Sequence, residues 1–121
     1  MLGLLKQSPA GRIVNVSSGL GSISRTRDSD PKTSPYAAYR SYNSSKAALN
    51  MQTVLFAGEF AAEDLPIKIN SVDPGYTAAD LNQHRGTRTV EQGASAPVRL
   101  AMLTDDGPTG GFFDDDGPVP W

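Results

Sequence analysis

Tyr42 and Lys46 bracket the run Tyr42-Asn43-Ser44-Ser45-Lys46. At that spacing a helix carries both side chains on one face, one turn apart. An ammonium held beside a phenol favours the phenolate electrostatically. It brings a hydroxyl that ordinarily titrates at about pH 10 toward the range useful for general acid–base chemistry. The same spacing also describes an ordinary solvated helix face, so the pair takes its meaning from its flanks. Gly11-Arg12-Ile13-Val14-Asn15-Val16-Ser17-Ser18 precedes it, and Asn70-Ser71-Val72-Asp73-Pro74-Gly75 follows it.

The elements that must position these residues follow from pattern. Leu2, Leu4 and Leu5, then Ser8-Pro9-Ala10-Gly11, read as the last turn of a helix and its stop. Arg12 to Ser17 predicts a short strand whose apolar character suits a parallel strand covered on both faces. Gly19 to Ser34 reads as a long charged loop, with Arg25, Arg27, Asp28, Asp30 and Lys32. Such loops inside domains are usually functional or mobile. Ser34 as N-cap and Pro35 at the first helical position predict a helix from there to about Asp64, stopped by Leu65-Pro66. Ser44, Ser45, Ala47 and Ala48 permit close packing along it, and Gly58 weakens its middle. Ile67, Ile69 and Val72 alternate as a strand ending in the turn Asp73-Pro74-Gly75-Tyr76. Thr89 caps a further helix to Leu103. Gly107 to Gly111 is a turn, Phe112-Phe113 a short strand, and Asp114 to Trp121 an acidic tail. Strand, helix, strand, helix, strand is the pattern of an α/β layer with a parallel sheet and right-handed crossovers. Its first strand would carry an unprotected edge.

Composition narrows the function. The chain has 121 residues, 38% hydrophobic and 20% charged, which fits one modest globular domain. A net charge of −2 is too small and of the wrong sign for an electrostatic nucleic-acid partner. With no cysteine, disulfides, thiol catalysis and Cys-ligated zinc are excluded. No apolar run approaches the ~20 residues of a membrane span, so no membrane partner is expected. The Met1–Lys6 segment lacks the flanks of a signal peptide, and a cytoplasmic location is the default expectation. No metal is expected. His84 has no His or Cys companion, and Asp114-Asp115-Asp116 lacks the alternating spacing of a calcium loop. That run reads as solvated.

A strand ending in paired serines, a Tyr-x-x-x-Lys helix and a strand ending in Pro-Gly, in this order, resemble the short-chain dehydrogenase/reductase family. The resemblance runs from Arg12 to Phe113. It implies the C-terminal half of a Rossmann-type three-layer α/β/α fold with a mostly parallel sheet. Residues 1–121 would form a single partial domain, the catalytic half, with the nucleotide-binding half absent. The implied activity is reversible hydride transfer between a nicotinamide cofactor and a ketone or aldehyde/alcohol pair. The cofactor is NADP or NAD, with NADP slightly favoured, and the partner is a small carbonyl or alcohol substrate. Ser18 then matches the serine that hydrogen-bonds the substrate carbonyl oxygen. Tyr42 matches the residue that delivers or removes the proton, and Lys46 the lysine that holds the cofactor ribose hydroxyls and activates the tyrosine. Pro74, Gly75, Tyr76 and Thr77 match the turn beside the nicotinamide, with the main chain at Thr77 meeting the carboxamide. Ser17 is read as structural, and Asn15 as a tie between neighbouring strands.

Departures from the family pattern are equally specific. The glycine-rich turn for the pyrophosphate has no counterpart. Gly19-Leu20-Gly21-Ser22 is a superficial match, since a polar loop and no helix is expected after it. Ala79 stands where many members carry a threonine. Residues 19–41 form a longer gap between Ser18 and Tyr42 than is common, which resembles the carbonyl reductase branch, where the extra segment lies over the substrate entrance. Tyr36 and Tyr39 have no lysine at the matching position and are read as packing or lining the pocket. Trp121 is read as an anchor for the tail. Two other readings remain open on sequence alone. One is a family remnant without catalysis of its own, acting as an interaction module. The other is a homo-oligomer that covers the open sheet edge by exchanging elements.

Overall fold

Lys68–Val72 forms the central strand of the sheet, β2, and its residues are almost wholly buried. The computed structural model describes residues 2–34, 36 and 38–121. Along the chain come α1 (Leu2–Leu5), β1 (Arg12–Val16), α2 (Ile23–Asp28), α3 (Arg40–Ala62), β2, α4 (Val90–Ala101) and β3 (Phe112–Phe113). The strands lie in the order β1-β2-β3, all parallel. Arg12 pairs with Lys68 through to Val16 with Val72, and Val72 pairs with Phe113.

Alternation along the strands sends side chains to two covered faces. On one face Ile69 meets Phe60 of α3 and Ile67, with Leu5, Ile13 and Phe56 packed around them. On the other, Val72 meets Ala96 and Leu100 of α4, with Val14 and Phe113 alongside. This is the expected α/β/α layering. β1 has one strand neighbour among the described residues, so its outer edge is open. Burying strands on both faces forces polar residues of β2 to find partners. Asn70 does so through Pro108 O, at 2.9 Å, and the Gly111 amide, at 3.0 Å, which fixes the entry into β3.

The Asn15 side chain reaches the neighbouring strand through α3 rather than directly. Its Nδ2 donates to Thr53 Oγ1 on α3 at 2.8 Å, and Thr53 bonds Ser71 of β2 at 2.8 Å. The strands are thus tied through the helix, because Asn15 and Ser71 both project onto the face that α3 covers. Ser17 is buried, and its hydroxyl reaches Lys46 O at 3.5 Å, in keeping with a structural role.

Three expectations need correction. The long helix begins at Arg40 rather than at Ser34. Tyr39 sits at φ 52°, a left-handed conformation through which a right-handed helix cannot run. Ser34 Oγ instead accepts from the Tyr36 amide at 3.1 Å, and Pro35 lies outside the described residues. The segment after Ser18 does contain a helix. Ser22 Oγ accepts from the Arg25 amide at 3.1 Å and caps α2, directly after a short 3-10 turn at Gly19–Gly21. Finally, the acidic run is not simply solvated. Asp114 lies 3.4 Å from Arg25 and Asp115 is paired with Arg88, because the tail turns back after β3. Trp121 anchors that return by stacking on Phe112 at 5.5 Å, while its carbonyl accepts from the Ser24 amide.

Thr53 is fully buried and its hydroxyl joins three elements. Thr53→Val keeps the shape but strands Asn15 and Ser71, and should cost about 1–3 kcal/mol in urea unfolding; an unchanged midpoint would refute the tie. The Asp115 carboxyl is held below the ordinary carboxylate range, chiefly by its hydrogen bond to Arg88, with further help from Ser95 and Arg99 against the opposing effect of desolvation. Its folded-state value is therefore below its unfolded one. The stabilisation is fully present above about pH 4 and is lost as pH falls through the lowered value. Asp115→Asn should lower the melting temperature only slightly at neutral pH, since the pair is in contact with solvent, and leave it less sensitive to acid than that of the native chain.

Candidate active site

The carboxyl ends of β1 and β2 lie side by side because the strands are parallel, and open α/β sheets bind ligands at such ends. Ser18 lies two residues beyond the end of β1. Its backbone is extended, and its Oγ accepts from the Leu20 amide at 3.2 Å, capping the 3-10 turn. An oxygen that accepts there keeps its own proton free to donate elsewhere.

Tyr42 and Lys46 occupy the first turns of α3. The Lys46 ammonium lies 5.6 Å from the centroid of the Tyr42 ring, within cation–π range. The same Nζ donates to the Val16 carbonyl at the end of β1, at 2.8 Å. Tyr42 keeps 38% of its surface exposed. Lys46 therefore joins the tyrosine face of α3 to the strand end from which Ser18 leaves. Gly21 closes the approach, since a Cβ there would stand 2.7 Å from Lys46 Cβ. The structure thus brings the Ser18 turn against α3 at Lys46, with Tyr42 one turn away.

After β2, the Gly75 amide donates to Asp73 Oδ1 at 2.9 Å, and Gly75 takes φ 72°. A side chain is rarely accommodated in that conformation. Thr77 Oγ1 donates back to Pro74 O at 3.2 Å. Residues 76–78 are clasped by the returning chain: the Ala78 amide donates to Arg88 O at 2.9 Å, and the Arg88 amide to Tyr76 O at 3.1 Å. Neither bond uses the Thr77 amide. The Thr77 carbonyl accepts from Asn82 Nδ2 at 2.7 Å. His84 lies in the loop between, exposed and 3.0 Å from Asp80. Tyr39 is 69% exposed rather than packed, because the left-handed turn lifts it outward.

These groups suit the nicotinamide-riboside end of a dinucleotide. The Lys46 ammonium and Tyr42 hydroxyl are the right donors for a ribose diol, and the Thr77 amide is a donor for a carboxamide oxygen. The glycines after Ser18 do not suit its phosphates. A Cβ on Gly19 would meet the Asp73 carboxylate at 2.6 Å, so that glycine faces an anion and makes no cradle for another. Two surface grooves lie elsewhere. One is lined by Leu2, Ile13, Phe56 and Phe60, the other by Leu20, Ile23, Asn43 and Ala47 between α2 and α3. Neither is lined by Ser18, Tyr42 or Lys46.

Sequence reasoning missed Arg25, Asp73, Arg88 and Asp115. Arg25 lies 3.8 Å from Asp73 and 3.4 Å from Asp114, so it joins α2 to the turn after β2 and to the tail. The signal for α2 was present in the Ser22 cap. The ion pairs carry no local signal, because their partners meet only in the fold.

A family model for short chain dehydrogenase matches residues 1–89. The (-)-isopiperitenone reductase of Mentha piperita is 32% identical, over 93% of this chain and 45% of the relative. Among solved structures, salutaridine reductase from Papaver somniferum superposes with a TM-score of 0.73 at 29% identity, covering 94% of this chain and 48% of that one. NADPH-bound carbonyl reductase from chicken fatty liver superposes with a TM-score of 0.72 at 25% identity, covering 100% of this chain and 48% of that one. The chain thus spans about half the length of the relatives it matches.

The contact between Gly21 and Lys46 gives a direct test. Gly21→Ala should push the turn after Ser18 away from α3 and cost about 1–3 kcal/mol by overpacking. Gly58→Ala, where a Cβ meets nothing within 4 Å, should instead stabilise α3 by about 0.5–1 kcal/mol. Equal urea midpoints for the two variants would contradict the packing described.

Proposed function

The chain belongs to the short-chain dehydrogenase family, and we propose that it is the catalytic half of an NADP- or NAD-dependent oxidoreductase that interconverts a ketone or aldehyde and its alcohol. The observation that carries the reading is the Lys46 ammonium, set beside the Tyr42 ring while bonded to the Val16 carbonyl at the foot of Ser18. NADP is favoured over NAD, with support from solved relatives described as bound to NADPH or NADP.

The division of labour follows from the side chains. A bound nicotinamide supplies the hydride, and the protein supplies orientation and a proton. Ser18, its oxygen already accepting from Leu20, hydrogen-bonds the substrate carbonyl oxygen through its hydroxyl, keeps its own proton, and fixes the oxygen's position. Tyr42 donates a proton to that oxygen during reduction and removes one from the alcohol during oxidation. Lys46 holds the ribose hydroxyls and places positive charge where the phenol loses its proton. The Thr77 main chain orients the carboxamide within the turn formed by Pro74, Gly75 and Tyr76. The segment Gly19–Ser34, which includes α2, lies between Ser18 and Tyr42 in sequence and is assigned to the substrate side. Substrate selection therefore falls to this segment and to the loop after Thr77.

A second reading is a family segment that does not turn over unaided and acts as an interaction or element-swapping module. The open edge of β1 favours it. Calorimetric titration of the chain with NADPH and NADP⁺ at millimolar concentration separates the two, because only the first reading requires saturable binding.

Tyr42→Phe should lower the rate of NADPH-dependent reduction, across a panel of cyclic and aromatic ketones, by about 10²–10⁴-fold while leaving the melting curve unchanged. Lys46→Ala should weaken nucleotide binding and lower the rate together. Full turnover by Tyr42→Phe would end the proposed mechanism.

A further inference from the structure

Arg88 touches three parts of the fold at once. Its main chain clasps the turn through Ala78 and Tyr76. Its side chain runs beneath Gly75, where a Cβ would stand 2.7 Å from Arg88 Cδ. Its Nη2 donates to Gln92 O in the first turn of α4, at 2.7 Å, and to the Asp115 carboxylate of the tail. Arg88 Nε and Asp115 Oδ1 are buried with no hydrogen-bond partner among the described residues, the bond between the two side chains being made by Nη2 and Oδ2. Each charge is therefore compensated chiefly by the other. Removing either would leave a half-buried charge directly under the turn. Gly93 of α4 also presses on the turn, since a Cβ there would fall 2.3 Å from Thr77 Oγ1. The turn is held by both contacts.

We infer that Arg88, locked by Asp115, is a positioning residue that holds the Pro74–Thr77 turn where its main chain meets the nicotinamide cofactor. This rests on the catalytic-half reading above. Three observations separate the role from general stabilisation. The pair lies outside both apolar clusters of the core. The guanidinium contacts main chain of the turn and of α4 rather than core side chains. The ion pair is also partly exposed, at 31% for Arg88 and 28% for Asp115, and ion pairs in contact with solvent add little to global stability. The consequence of losing it is local: a main-chain donor displaced by about 1 Å can cost up to about 10²-fold in a reaction it orients.

The test uses the full chain and the variants Arg88→Met, which keeps an apolar stem beneath Gly75, Asp115→Asn and both together. Asp105→Asn, which removes an 84% exposed carboxylate paired with Arg12 elsewhere, is the control. Amide hydrogen exchange without nucleotide should accelerate at Ala78 and Arg88 by about tenfold or more, while Asp73, paired to Phe113, and the amides of α3 stay protected. NADPH titrated by calorimetry should bind about tenfold more weakly to each single variant. The double variant should be no worse than the singles, because the two residues act as one unit. Asp105→Asn should match the native chain in both measurements. Exchange that is unchanged at Ala78 and Arg88, or that rises uniformly across β2 and α3, overturns the inference. So does native nucleotide affinity in the variants. If the native chain itself binds no nucleotide, the catalytic-half reading fails and the cofactor role of Arg88 is withdrawn with it, while exchange alone decides whether Arg88 grips the turn. Should Arg88→Met fail to fold, Asp115→Asn decides by the same two measurements.

Discussion

Lys46 is fastened to the end of β1 from two directions. Its ammonium donates to the Val16 carbonyl, and its own carbonyl receives the Ser17 hydroxyl. Gly21 packs against its Cβ so closely that only hydrogen fits. A helix meets a strand end here through one residue whose ammonium also lies beside the Tyr42 ring. Displacing that joint would move the phenol, the ammonium and the Ser18 turn together. The sheet behind it exists largely to hold β1 in register with β2, which sets Ser18 and Pro74 at the same end of adjacent parallel strands.

The two faces of the sheet divide the work. The α3 face is tied by polar groups as well as apolar ones: Asn15, Thr53 and Ser71 form a hydrogen-bonded chain through the interior. Buried polar chains of this kind penalise any slip of helix against strand, since every partner would be lost at once. The α4 face is mainly apolar, with Val72, Ala96 and Leu100 at its centre. Register matters most where the proposed chemistry lies, and that is the face carrying the more directional contacts.

Much of this was legible in the sequence. Alternation in Ile67 and Ile69, the Thr89 cap and the Pro-Gly turn each named an element correctly, because each is a local signal with a local cause, although Val72 breaks the alternation and faces α4 instead. The start of α3 was not legible. Ser34-Pro35 is a good helix opening by itself, but Tyr39 adopts a left-handed conformation that no propensity assigns to tyrosine, and the helix begins only at Arg40. Asn43 compensates by bonding the Tyr36 and Ala38 carbonyls, a contact across the break that depends on the break already being there. The candidate site divides in the same way. Ser18, Tyr42, Lys46 and Thr77 stand in ordered motifs, whereas Arg88 and Asp115 are joined only when the tail folds back along α4.

That return of the tail also answers an electrostatic problem. The turn after β2 carries Asp73, and the segment after β3 brings Asp114 and Asp115 toward the same end of the sheet. Three carboxylates there would repel any anionic nucleotide. Arg25 lies between Asp73 and Asp114, Arg88 is paired with Asp115, and Arg99 donates to the Asp114 carbonyl. Acids and guanidiniums arrive from different elements and offset one another locally. Net charge conceals this arrangement: a chain at −2 overall pairs Asp114 and Asp115 of its tail with guanidiniums, leaves Asp116 exposed, and sets the Lys46 ammonium beside Tyr42.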